Sequence, residues 1–99
     1  MLCHITTGLA WAEAVAAKIY RPPSLAREGF IHFSTEAQLA DTHRRWYTGV
    51  ADLVVLWCNV DADVRWDDTP HDRFPHLYRA LELHEVDRTT RLPRLGDAP

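Results

Sequence analysis

Short apolar runs, broken by hydroxyl, glycine and proline residues, divide the chain into strands and helices of modest length. Residues 2–6 read as a first strand. Thr7 then stands where a helix cap belongs, ahead of Trp11, Val15 and Ile19 at four-residue spacing. That helix should stop before Arg21-Pro22-Pro23, because paired prolines lack amide donors and push the preceding residue out of helical geometry. The segment to Gly29 reads as a loop with one extra turn over residues 24–28, and residues 30–33 as a second strand. In Thr35-Glu36-Ala37-Gln38 the hydroxyl and the amide side chain can satisfy each other's backbone donors, so a capping box opens a second helix. Leu39, Ala40, His43, Trp46 and Tyr47 fall on one face of it, and Gly49 is placed to end it.

Residues 53–57 carry no polar alternation, which predicts a central strand covered on both faces. Residues 64–66 alternate as a short strand, and the polar stretch 67–73 reads as a loop. Leu77, Leu81 and Leu83 then share one side of a further strand, with Tyr78 and Glu82 on the other. Residues 86–92 alternate Thr and Arg like an edge strand, and residues 93–99 read as a loose tail. Mixed or antiparallel strands with two main helices make an α+β chain, folded as one compact domain over residues 1–99.

At 99 residues, such a domain buries roughly two thirds of its unfolded surface, and four tryptophans add large rigid pieces to its core. A net charge of only −3 supplies no global field that would recruit nucleic acid or an anionic membrane. The basic clusters at His43-Arg44-Arg45 and at Arg88, Arg91 and Arg94 are short and mixed with other residues, as on solvated faces. The longest apolar run, residues 53–58, is too short to span a bilayer. The N-terminal stretch has no basic flank and is interrupted by Glu13 and Lys18, so a soluble cytoplasmic protein is expected. Cys3 and Cys58 lie in apolar strand contexts outside any Cys-x-x-Cys phrase and read as reduced, buried thiols.

Chemistry concentrates in histidine-centred phrases at strand ends: Cys3-His4-Ile5-Thr6-Thr7, Gly29-Phe30-Ile31-His32-Phe33-Ser34-Thr35, and Phe74-Pro75-His76-Leu77-Tyr78. If these strands converge, His4, Thr6, His32, Ser34, His76 and Tyr78 border one cavity, with Trp66 as a core plug or a stacking wall. The competing reading makes the histidines hydrogen-bonded parts of the core, and the hydroxyls of Ser34 and Thr35 simple caps. His43, on the apolar face of the second helix, reads as structural. No His-x-His or His-x-x-x-His phrase supplies metal-ligand spacing, so no metal is expected. Ser34 lacks the Gly-x-Ser-x-Gly elbow of a hydrolase nucleophile.

The phrases His4-Ile5, Gly29 to Thr35 with Gln38, Asp52 to Trp57, Trp66, and Phe74 to Tyr78 recur in an order that resembles a bacterial family known as domain of unknown function 952. That family is similar in architecture to ADP-ribosyltransferases, so the resemblance implies a split β-sandwich with a cleft for nicotinamide adenine dinucleotide (NAD). His4-Ile5-Thr6 looks like the His-containing strand of one transferase branch. The element that usually supplies a catalytic Glu has no matching Glu, and His76 stands in the equivalent region. In an enzyme of this form, His4 and Thr6 would orient the ribose and nicotinamide, Tyr78 would stack, and His32 or His76 would give acid-base contacts. A small, nucleotide-like ligand is the implied partner. A non-catalytic binder, or an accessory domain with a structural histidine cluster, is the alternative, and oligomeric state stays open.

Overall fold

A computed structural model describes residues 1–96. Strand β1 (Leu2–Thr7) pairs antiparallel with β4 (Leu53–Cys58), which pairs on its other edge with β8 (Val86–Leu92). The uninterrupted apolar run is therefore the middle strand, with Leu53, Val55, Leu56 and Cys58 all buried. A second antiparallel sheet has β3 (Ile31–His32), β6 (Arg73–Leu77) and β5 (Val64–Asp68) in that order, and a third pairs β2 (Ile19–Tyr20) with β7 (Leu81–Glu82). Reciprocal 2.8 Å backbone bonds between Cys3 and Ser34 join the first sheet to the second. The core gathers Tyr20, Ile31, Phe33, Leu56, Cys58, Leu77 and Leu81, so every sheet contributes to it.

Helix α1 (Gly8–Ala17) is capped as expected, with Thr7 Oγ1 accepting the Ala10 amide at 3.1 Å. It ends earlier than the spacing predicts, because Lys18 takes a left-handed conformation (φ 63°) and sends Ile19 into β2. The expected apolar stripe is corrected accordingly: Val15 is 49% exposed, and the buried residue is Ala14. The extra turn after the prolines is a short helix, α2 (Pro23–Glu28), closed by Gly29 at φ 86°. Phe30 lies outside β3, which is only two residues long.

Helix α3 (Glu36–Tyr47) carries the full capping box, Thr35 Oγ1 to the Gln38 amide and Gln38 Oε1 to the Thr35 amide. Its buried residue is His43, whereas Trp46, expected on the core face, is 62% exposed. Gly49 follows the helix at φ 82°; its amide donates to Leu95 O at 2.8 Å, and Arg94 Nε donates to Gly49 O. Of the segment expected to be a loose tail, Arg94 and Leu95 are thus hydrogen-bonded, and residues 97–99 lie outside the described residues.

The other departures have local causes. Asp67 and Asp68 belong to β5 and Arg73 to β6, so the expected loop shrinks to a turn in which Thr69 N donates to Asp72 O at 2.9 Å. The strand expected from Leu77 to Leu83 is broken: Leu77 ends β6, Leu81 begins β7, and Leu83–Glu85 forms a 3-10 turn. Arg79 fills the gap, bonding Asp63, the Ala80 carbonyl and both Glu85 oxygens, and this clamp re-aims the chain between sheets. No helix among the described residues is long and apolar enough to cross a membrane.

Candidate functional site

A cleft of about 1010 Å³ opens between β1, the β3–β6 face, α2 and α3. It is lined by His4, Thr6, His32, Ser34, His76 and Tyr78, so six of the residues singled out by sequence meet around one space. Trp66 does not join them. Strand alternation places it on the face of β5 opposite Arg65 and Asp67, where it is 51% exposed and borders a separate hollow of about 430 Å³ beside Met1 and Val60.

Antiparallel register explains the centre of the cleft. His32 and His76 are direct cross-strand partners, and their rings meet edge to face at 5.1 Å between centroids. Arg65 pairs with His76 and Asp67 with Phe74, so residues 65 and 67 share the face carrying the histidine. Asp67 Oδ2 consequently accepts from His76 Nδ1 at 2.8 Å and from Tyr78 Oη at 2.6 Å. Phe30 stacks on His76 at 4.1 Å and 12°, and the Arg65 guanidinium lies over the Tyr78 ring at 4.6 Å.

These contacts shift the ionisations in opposite senses. The hydrogen bonds from Tyr78 and His76 hold the Asp67 carboxyl below its usual range. The bond to that carboxylate raises Tyr78. Burial lowers His76, with Asp67 opposing it. An ionised carboxylate only accepts, so the His76 proton resides on Nδ1 and Nε2 keeps its lone pair. Among the described residues Nε2 has no protein partner, nor is it a sealed, unsatisfied atom. His32 is tied differently, its Nε2 donating to Glu28 Oε2 at 2.5 Å across the Gly29 turn.

His4 is more deeply engaged. Its Nδ1 donates to the His32 carbonyl at 2.5 Å, and its Nε2 lies 2.7 Å from Tyr20 Oη. Burial pushes the His4 pKa down to about 4, so the ring is neutral and Nε2 accepts the phenol proton. The 3.0 Å contact of Tyr20 Oη with Thr6 Oγ1 is then donated by the threonine, since the phenol has one proton. Ser34 Oγ is likewise committed, to Thr42 Oγ1 at 2.9 Å. His43 is buried outside the cleft lining, with Nε2 unpartnered among the described residues. No cluster of three potential metal ligands occurs among the described residues.

Asp67, Tyr20, Phe30 and Glu28 are the site residues that sequence reasoning passed over. Asp67 opens what reads as a solvated acidic loop. Only the alternation of Arg65 and Asp67 beyond Val64 hinted that the strand runs on.

Residues 5–89 match the family model described as a protein of unknown function, DUF952. The chain belongs to that family. It is similar to the crystal structure of protein CC0527 from Caulobacter crescentus, with a TM-score of 0.82 and 32% identity, covering 90% of this chain and 82% of that one. The solution NMR structure of CC0527 superimposes with a TM-score of 0.79 at the same identity, over 90% of this chain and 81% of the other. No curated protein matches the chain. This chain's α+β single-domain form is thus matched by a solved structure, within a family described as of unknown function.

Proposed function

We propose that the cleft binds a small ligand of nucleotide or dinucleotide kind, NAD being the first candidate, in the manner of an ADP-ribosyltransferase-like fold. The observation that supports this reading is the assembly of Phe30, His76 and Tyr78 around the Asp67 carboxylate within a cavity of about 1010 Å³. Aromatic edges and faces suit a heterocyclic ring, and the few fixed polar atoms set its orientation. Arg65, whose guanidinium lies over the Tyr78 ring, borders this corner without lining the cleft.

The roles of the predicted site residues change under this proposal. His4 and Thr6 act through Tyr20 and the His32 carbonyl and shape the wall, while His32, His76 and Tyr78 are the ligand-facing groups. A ligand that binds the folded state alone raises the melting temperature. NAD and a panel of nucleotides should therefore stabilise the wild type. Tyr78→Phe, which frees Asp67, should reduce that shift more than it alters the melting temperature of the free protein. Absence of a shift across the panel removes this ligand class. A second reading, a structural accessory domain, is favoured only by His4, whose two nitrogens are both satisfied internally.

A further inference from the structure

Asp67, His76 and the unclaimed Nε2 form an arrangement that ligand binding alone does not need. A carboxylate bonded to Nδ1 of an imidazole fixes the tautomer and stabilises the imidazolium that forms when Nε2 takes a proton. The carboxylate here is held a second time by Tyr78, which restricts its motion. Phe30, stacked at 12° on the imidazole, fixes the ring plane. No side-chain hydroxyl bonds His76 Nε2 among the described residues, so a group activated there comes from solvent or from the ligand.

The charge of the cleft limits what it activates. Glu28, Asp67 and Asp68 line it, and among the described residues no Lys or Arg does. A reacting centre close to His76 is therefore more favourable when it is uncharged than when it is a phosphate.

We propose that the cleft is a hydrolytic site for neutral carboxylic esters, in which His76 Nε2 is the general base toward water and Asp67 is its positioning residue. The inference rests on the cleft being a ligand site. Water attacks the ester carbonyl as Nε2 removes its proton, and a carbon–oxygen bond forms. The tetrahedral intermediate collapses by breaking the bond to the alcohol oxygen, which takes the proton back from the imidazolium. Acid and alcohol leave, the imidazole is neutral again, and no oxidant or co-reactant other than water is consumed.

The test uses the full chain and 4-nitrophenyl acetate as an uncharged ester. Wild type should release nitrophenolate about 10²-fold faster than His76→Gln, the range of general-base catalysis. His84→Gln, an exposed histidine outside the cleft, should match wild type and so subtracts adventitious surface imidazole. The rate should rise with pH along a limb lying below the ordinary histidine value of 6.5, because burial lowers His76. Asp67 and Glu28 oppose that lowering and His32 adds to it. Asp67→Asn should lower the plateau and move the limb further down, a shift that a merely structural aspartate would not give.

His76→Gln alters a buried ring, so a second measurement keeps the test independent of folding: long-range proton–nitrogen spectra of the wild type should show His76 protonated on Nδ1 at neutral pH. Equal rates in wild type and His76→Gln, or an Nε2–H tautomer, overturn the proposal. Nucleotide stabilisation without ester hydrolysis removes this inference alone, and hydrolysis without stabilisation removes only the nucleotide.

Discussion

At the scale of single residues, the same side chain does different work depending on what meets its nitrogens. His76 keeps Nε2 free of protein partners among the described residues, His32 gives Nε2 to a carboxylate on the turn before it, and His4 spends both nitrogens inside the wall. His4 should therefore write itself into the pH dependence of stability. Its pKa is about 4 when folded against 6.5 for the free side chain, so the unfolded chain binds the extra proton between those values. Stability is full above pH 6.5 and falls as the pH drops toward 4, by on the order of 3 kcal/mol at roughly 1.4 kcal/mol per unit. His76, also lowered, adds in the same direction, whereas Asp67 acts below the ordinary aspartate value of 3.8. Urea midpoints of wild type and His4→Leu across pH 4 to 7 check this. The variant should be less stable at neutral pH, because Tyr20 and the His32 carbonyl lose their partner, and its slope with pH should be flatter.

Among the elements, the two long helices were legible for different reasons. The capping box of α3 is a local device within four residues, so it survives any tertiary context and was readable from Thr35 and Gln38 alone. Thr35→Ala should lower stability by about 1 kcal/mol in a denaturant titration. Here Gln38 also donates Nε2 to Asp72 Oδ2 and Arg73 O, so loosening the cap loosens the turn that closes the β5–β6 hairpin. The apolar spacing of α1 misled because Ile19 belongs to a strand: pairing with Glu82 takes it out of the helix, and Lys18 in the left-handed region makes the break. Exposed Trp46 misled for another reason. Its ring meets His71 at 6.0 Å and lines the cleft, a surface that a helical wheel cannot tell from a core.

For the whole molecule, stability depends on one strand. Leu56 is fully buried between β1 and β8, opposite His4 on one side and Thr89 on the other, and it packs in the cluster that includes Phe33 and Leu77. Leu56→Ala should cost roughly 2 to 5 kcal/mol, several times the loss of the α3 cap, read as a lower urea midpoint. Because β1 carries His4 and Thr6, that cavity should also weaken ligand-induced stabilisation where Thr35→Ala leaves it nearly intact. Equal losses in both properties for the two variants would contradict this coupling of core and cleft.

By itself the sequence determined the α+β class, the middle strand and the capped helices, because each rests on local periodicity or turn chemistry, whereas the convergence of the histidine phrases was conditional on strand pairing. Tertiary structure decided which polar groups meet. Asp67 reaches His76 and Tyr78 only because β5 and β6 pair in a register that puts residues 65, 67, 74 and 76 on one face, and the same alternation turns Trp66 away. Glu28 reaches His32 because Gly29 adopts a positive φ that closes α2 back toward β3. Register and backbone handedness are settled by contacts between segments far apart in the chain, so no window of neighbouring residues contains them.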